Sequence, residues 1–258
     1  MKRKIFILLL VFTTMIMNSI MAYADYNNSF EEHFALQARD IGPCRKLTGN
    51  VRIMLIFVNT PEHPWTEKKK EEVYSVSTSS INIMKKEAAR YGQYLNLSYG
   101  HLDFHIPTEY DDNQEWYRYI LEKAYHVSNM DVIQQRYRRA LRVDSAPMIF
   151  LFNSWDRSYS KVKSSLNANY DDEYCVIFCD TDMHDNYLTH ELMHLYGAID
   201  LYDYRGEGVE KIAKKYFPTS DMLHVSHNID DLTAFLVGWT ETISSNASKF
   251  LTETDGLR

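Results

Sequence analysis

Two histidines and a glutamate stand at a spacing that suits metal chemistry, in the segment His190-Glu191-Leu192-Met193-His194. Histidines four positions apart lie on one face of an α-helix, so both imidazoles can reach a single ion. Glu191 follows the first histidine, where its carboxylate can reach a water molecule on the ion and act as a general base. A catalytic zinc ion has three protein ligands and one open position, so a third ligand should follow nearby.

The residues after this helix supply candidates for the third ligand. Gly197 can adopt a positive φ, which ends the helix and turns the chain back toward the ion. Asp200 follows three positions later and is the favoured ligand, with Asp203 as the alternative. A bare His-Glu-x-x-His occurs by chance in many proteins, but here a glycine and a carboxylate fit the same chemical purpose. The extended pattern therefore indicates a metal centre rather than a buried structural histidine.

This pattern, His190-Glu191-x-x-His194-x-x-Gly197-x-x-Asp200, resembles the signature of the metzincin family of zinc metallopeptidases. Metzincins usually have a third histidine where this chain has aspartate. The aspartate form is similar to snapalysin and to peptidases of the immune inhibitor A type, whose motif often continues as Asp-x-Tyr-Asp. Residues 200–203 continue in that way, and the resemblance covers about residues 187–240.

A second segment carries the same resemblance. Metzincins place a methionine turn beneath the metal, and Met222 stands at a suitable distance after the motif. Met222 would form a hydrophobic floor and take no part in the chemistry. In some metzincins a tyrosine two residues after this methionine helps to stabilise the oxyanion, and this chain has His224 there. His224 could donate a similar hydrogen bond, or it could be a wall or surface residue.

The resemblance implies a fold and an activity. The fold is α+β, an α/β sandwich with a mixed, mostly parallel sheet, packed helices, an active-site helix and a methionine turn. The activity is peptide-bond hydrolysis by water on one catalytic Zn²⁺, held by His190, His194 and Asp200, with Glu191 as the general base. Two alternatives stay open: an inactive secreted protein that binds zinc structurally, and a zinc amidase acting on a non-protein substrate. Whether the protein also binds Ca²⁺ is left open.

The resemblance also implies how a polypeptide substrate would bind. In metzincin-like folds the strand just before the active-site helix is often a sheet edge along the cleft, which here would be residues 174–179. An extended peptide can pair with such an edge as an additional strand.

Periodicity predicts the elements that must position these residues. Apolar runs indicate buried strands, and apolar residues at helical spacing indicate helices packed on the sheet. The predicted elements are a strand at 51–60, a helix at 66–91, strands at 94–99 and 102–106 joined by a turn at Gly100, two helical halves across 113–142, and strands at 147–152 and 174–179.

The two ends of the chain have different compositions from the middle. Residues 1–24 combine a basic start, an apolar run and a small-residue site ending at Ala24, which predicts a signal peptide cleaved there and a secreted protein. An uncleaved anchor is the alternative, since the apolar run is near the lower limit for a spanning helix. Residues 25–50 are an N-terminal segment that could be a short pro-segment. Residues 51–242 form the peptidase domain, and 243–258 form a polar tail.

Charge and cysteine content limit the function classes further. Three of the 28 Lys and Arg residues lie in residues 1–24, which leaves 25 of them against 35 Asp and Glu. So acidic a chain is a poor nucleic-acid binder, and after cleavage we expect no stable membrane association. Cys175 and Cys179 share one strand, about 13 Å apart, so they cannot bond to each other. A disulfide, if present, would join Cys44 to one of them.

Overall fold

The computed structural model describes residues 33–111, 114–164, 172–179, 185–203, 208–224 and 226–257. The predicted signal peptide, residues 1–24, lies outside the described residues. The strands and α-helices of the described part are, in chain order, β1 (Gly49–Asn59), α1 (Glu67–Arg90), β2 (Leu95–His105), α2 (Glu115–Tyr119), α3 (Met130–Leu141), β3 (Met148–Phe152), β4 (Tyr159–Lys161), β5 (Tyr174–Phe178), α4 (Asp185–His194), α5 (Val209–Tyr216), α6 (Asp231–Leu236) and α7 (Ser245–Thr254). A π-helical turn covers Ile120–Tyr125, and 3₁₀ turns cover Phe34–Leu36 and Asp221–Leu223.

The five strands form one mixed sheet in the order β2-β1-β3-β5-β4. β1 pairs in parallel with β2 and β3, and β5 pairs in parallel with β3, whereas β4 runs antiparallel to β5. The central strands are apolar on both faces because helices cover both sides of the sheet. The predicted mixed, mostly parallel sheet with packed helices is therefore confirmed.

The sheet separates two hydrophobic clusters, and alternate residues of β1 contribute to each. Leu55 and Phe57 belong to the cluster that contains the buried residues of α1 and α4. Ile56 and Val58 belong to the other cluster, beneath α2 and α3. This alternation follows from the two-residue period of a strand. It places α4, which carries the metal-ligand motif, on a defined face of the sheet.

The prediction of two strands joined by a turn at Gly100 was wrong. β2 is continuous, and Gly100 pairs with Met54 of β1 in an unbroken parallel register. A Cβ at Gly100 would lie 3.2 Å from the guanidinium of Arg52. Glycine in a strand often marks such a close approach rather than a break.

The predicted edge strand was also wrong. Residues 174–179 correspond to β5, which lies between β3 and β4 and is not an edge. The two edge strands of the described sheet are β2 and β4, and β4, from the polar stretch that follows β3, is the one beside the metal-ligand motif, since its Ser160 contacts Glu191. Among the described strands β4 pairs only with β5, so its other side is the one that can accept an extended chain.

The C-terminal segment is not a polar tail. Residues 245–254 form α7, whose Phe250 and Leu251 side chains are fully buried. Phe250 packs on Phe217 just after α5, with ring centroids 5.5 Å apart. The exposed polar residues of α7 therefore form the outer face of an amphipathic helix that completes the core, whereas Thr254 is buried beside Phe250 and Leu251.

The N-terminal segment and the cysteines are part of the same core. Within the described part of residues 25–50, Ala35 and Leu47 are fully buried, and the Leu47 amide donates to the carbonyl of Val237. Cys44, Cys175 and Cys179 are all buried and free, so none of the disulfides considered from the sequence forms. No helix in the described ranges combines the length and apolarity needed to cross a bilayer.

Candidate metal centre

Helix α4 presents His190 and His194 one turn apart. Its apolar side chains Leu188, Leu192 and Met193 are fully buried and pack the helix against the sheet and α1. Opposite sides of the helix therefore have different roles: Leu188 and Leu192 pack in the core, and the two histidines meet on the other side. The Nε2 atoms of the two histidines are 3.1 Å apart.

The turn after α4 brings Asp200 to the same point. Gly197 has φ +97°, and the Ala198 amide donates back to the carbonyl of Met193 at 3.2 Å. The predicted glycine turn is thus present. Lack of space for a side chain is a second reason, besides the positive φ, that this position requires glycine. A Cβ at Gly197 would lie 3.0 Å from the backbone oxygen of Ala38 and could not be accommodated without a backbone shift.

The three predicted ligands form a compact group. The Asp200 Oδ1 atom lies 3.0 Å from His190 Nε2 and 3.2 Å from His194 Nε2. Ligand atoms about 2.05 Å from a tetrahedral ion are about 3.3 Å from one another, so these separations suit a single small cation. In the part of the chain that the structure describes, no fourth His, Cys, Asp or Glu joins the group.

Hydrogen bonds orient one of the two histidines for this purpose. His194 Nδ1 lies 2.9 Å from the carbonyl of Ala198, to which it donates, so Nε2 is the nitrogen that faces the group. His190 Nδ1 is buried and has no hydrogen-bond partner among the described residues. His190 is almost fully buried, whereas the side chains of His194 and Asp200 are 14% and 13% exposed.

Electrostatics within the group favour a cation. Burial lowers the pKa of His190 to about 4, so this imidazole is neutral at pH 7. Burial also opposes the charged form of His194, but the carboxylates of Asp200 and Glu191 raise its pKa to about 9. Despite its burial, Asp200 has a pKa well below the usual range of a carboxyl because both histidines stabilise its ionised form. Without a metal the group therefore holds a proton where an ion would lie.

Glu191 lies beside the group and is nearly buried, with 7% of its surface exposed. Burial raises the pKa of its carboxyl, and the neighbouring His194 and Ser160 oppose that shift. Ser160 Oγ, on β4, lies 2.8 Å from both Glu191 Oε2 and the Glu191 carbonyl oxygen. Ser160 was not among the residues predicted from the sequence, because no local pattern marks a serine 31 positions before Glu191.

Met222 and His224 are both next to the centre. Met222 is fully buried in the 3₁₀ turn, and its carbonyl accepts a hydrogen bond from the amide of Leu201, directly after Asp200. His224 has φ +55°, and its ring stacks on that of His190 with centroids 4.1 Å apart. The ring of Tyr202 lies 5.0 Å from that of His224, so the two rings line the same side of the centre.

Asp203, the alternative third ligand, is not in the group. Its Oδ2 accepts from the Gly208 amide at 3.1 Å and its Oδ1 from the Glu210 amide at 3.0 Å. Asp203 thus satisfies the free N–H groups at the start of α5. The geometry brings Asp200 to the histidines and leaves Asp203 as a helix-capping residue.

Comparison with known proteins adds little to this picture. No protein-family model matches the chain, and no curated protein matches it. A solved structure, metalloproteinase-II from Bacteroides fragilis, matches with a TM-score of 0.39 and 13% sequence identity. The match covers 89% of this chain and 60% of that protein. A likeness this low assigns neither family nor activity, so the interpretation depends on the geometry of the centre.

Proposed function

We propose that this chain is a secreted, zinc-dependent endopeptidase. The observation that carries the proposal is the convergence of one oxygen and two nitrogen ligand atoms within 3.2 Å of each other, beside the buried Glu191 carboxylate. Structural zinc sites are closed by four protein ligands, whereas catalytic sites have three and admit water. A three-ligand group with a neighbouring base has the composition of a catalytic site.

Zinc is the ion that we propose for the group. Two imidazole nitrogens and one carboxylate oxygen form a donor set that zinc accepts readily. When bound, such an ion lowers the pKa of a coordinated water and polarises the carbonyl of the substrate.

The side chains around the group have distinct roles in this proposal. Glu191 accepts the proton of the attacking water and later delivers it to the leaving amine. His224, which is exposed and whose ring stacks on that of His190, donates a hydrogen bond to the oxyanion that develops on the substrate. Met222 supports the Asp200 segment from below through its carbonyl and takes no part in the chemistry.

The substrate that we propose is an extended polypeptide paired with the outer edge of β4. Ser160 of this strand contacts Glu191 directly, so a chain added along β4 would pass close to the base. Main-chain hydrogen bonds at a sheet edge do not depend on side-chain identity. This arrangement supports a protein substrate over a non-protein amide.

The test is digestion of casein with and without a chelator, together with elemental analysis of the purified protein. The proposal predicts about one zinc ion per chain and proteolysis that stops when the chelator is added and returns with zinc. Zinc at full occupancy without any proteolysis would favour the inactive zinc-binding alternative. Sequencing the amino terminus of the exported protein tests the predicted cleavage after Ala24.

A further inference from the structure

Ser160 is the one residue of β4 that faces the metal-ligand helix. Side chains alternate along a strand, and its neighbours Tyr159 and Lys161 face the other side of the sheet, where the Lys161 ammonium lies over the ring of Tyr174. Cys175 is opposite Ser160 in the β4–β5 register and is fully buried on the α4 side. Ser160 therefore lies between the core and Glu191.

The contact between Ser160 and Glu191 involves two acceptors on one residue. The Ser160 hydroxyl is 2.8 Å from Oε2 of the carboxylate and 2.8 Å from the backbone carbonyl of the same residue. A hydroxyl has a single hydrogen, so the two acceptors share it. Because one acceptor is backbone and the other is the end of the side chain, the hydroxyl fixes the side-chain conformation of Glu191 relative to α4.

We propose that Ser160 is a positioning residue for the general base. It occupies Oε2 of Glu191 and thereby leaves the second carboxylate oxygen to take the proton of the attacking water. It also connects Glu191 to β4, so that the base keeps a fixed position relative to a substrate paired with this edge. The inference rests on the proposed function and adds to it a residue outside the motif.

The kinetic test compares Ser160→Ala with Ser160→Thr and with a matched control. Ser158→Ala is the control, because Ser158 is two positions earlier and its Oγ accepts from the amide of Phe178 instead of contacting Glu191. A displaced base should lower kcat, and a misplacement of about 1 Å can lower the rate by about 100-fold. We expect Ser160→Ala to lower kcat at least about tenfold with KM changed less than about twofold. Ser160→Thr, which keeps the hydroxyl, should recover most of the loss, and Ser158→Ala should stay near wild type.

A second measurement examines the contact without metal or turnover. In chelator-treated protein, the Tm shifts of Ser160→Ala and Glu191→Ala should not add in the double variant, since both changes remove the contact between the hydroxyl and the carboxylate. Additive Tm shifts would show that the two side chains do not interact and would overturn the proposal. So would wild-type kcat in Ser160→Ala, or an equal loss in Ser158→Ala.

The outcomes separate this inference from the proposed function. If the wild-type protein shows no chelator-sensitive proteolysis, the proposed function fails and the role of Ser160 in catalysis fails with it. If the wild type is active and Ser160→Ala retains its zinc and its full kcat, only the positioning role fails.

Discussion

Replacing Gly197 with alanine should damage both the fold and the metal centre. At φ +97° an alanine is strained by roughly 1–3 kcal/mol, and its Cβ would lie 3.0 Å from the carbonyl oxygen of Ala38 and 3.2 Å from Cα of Arg39. Both neighbours are backbone atoms, so relief requires a shift of the chain. We expect a total loss of about 2–4 kcal/mol in the free energy of unfolding. For a chain of this size that corresponds to about 5–15 °C in Tm.

Gly92 provides a matched control for this change. It also has a positive φ, +72°, but nothing lies within 4 Å of a Cβ built on it. Gly92→Ala should therefore lower the free energy of unfolding by only about 1 kcal/mol. Differential scanning calorimetry of the chelator-treated variants measures both losses, and zinc titration should show weaker binding for Gly197→Ala alone, since the turn places Asp200. Equal Tm losses in the two variants, or unchanged zinc affinity in Gly197→Ala, would refute the reasoning.

Three further experiments test other parts of the structure. Asp200→Asn should weaken zinc binding more than about 100-fold, because Asp200 contacts the histidines. Asp203→Asn should leave the zinc affinity within a few-fold of wild type, because Asp203 caps α5 instead. Competition with a chromogenic chelator measures both affinities. Burial raises the pKa of Glu173 to about 8 from 4.5, so the folded protein keeps a proton that the unfolded chain releases, and stability should fall as pH rises from about 4.5 to 8. Glu173→Gln should abolish this decline, which amounts to a few kcal/mol in the free energy of unfolding at pH 8. Urea unfolding at several pH values measures it, and an unchanged dependence of stability on pH in the variant would contradict the prediction. Phe250→Ala should lower the free energy of unfolding by about 3–5 kcal/mol, whereas a loss below about 1 kcal/mol would mean that α7 does not pack as described.

The sequence was most informative where the determining interactions are local. The apolar run at 51–60 and the helical periodicity of 66–91 correspond to β1 and α1 because burial on one or both faces dictates the pattern. The metal-ligand group was also predictable, since His190, His194 and Asp200 are connected by one helix and one turn.

Long-range pairing decided the elements that could not be predicted from the sequence. Gly100 looks like a turn in isolation, but pairing with β1 keeps the strand extended. β4 has no apolar alternation, because an edge strand is stabilised by its neighbour rather than by burial of its own side chains. Ser160 meets Glu191 only through that pairing, so its contact could not be predicted from local spacing. In α7 the four buried residues are spaced as on one helix face, but Ala247 is small and Thr254 is polar, so only Phe250 and Leu251 carry a strong apolar signal.

The most direct test of the central claim is the activity of Glu191→Gln measured on protein of known zinc content. The substituted glutamine would keep the size of the side chain but could not accept a proton from water. We predict about one zinc ion per chain in both proteins, with casein hydrolysis reduced by about 10²–10⁴-fold in the variant. Undiminished proteolysis by the zinc-loaded variant would contradict the assignment of Glu191 as the base.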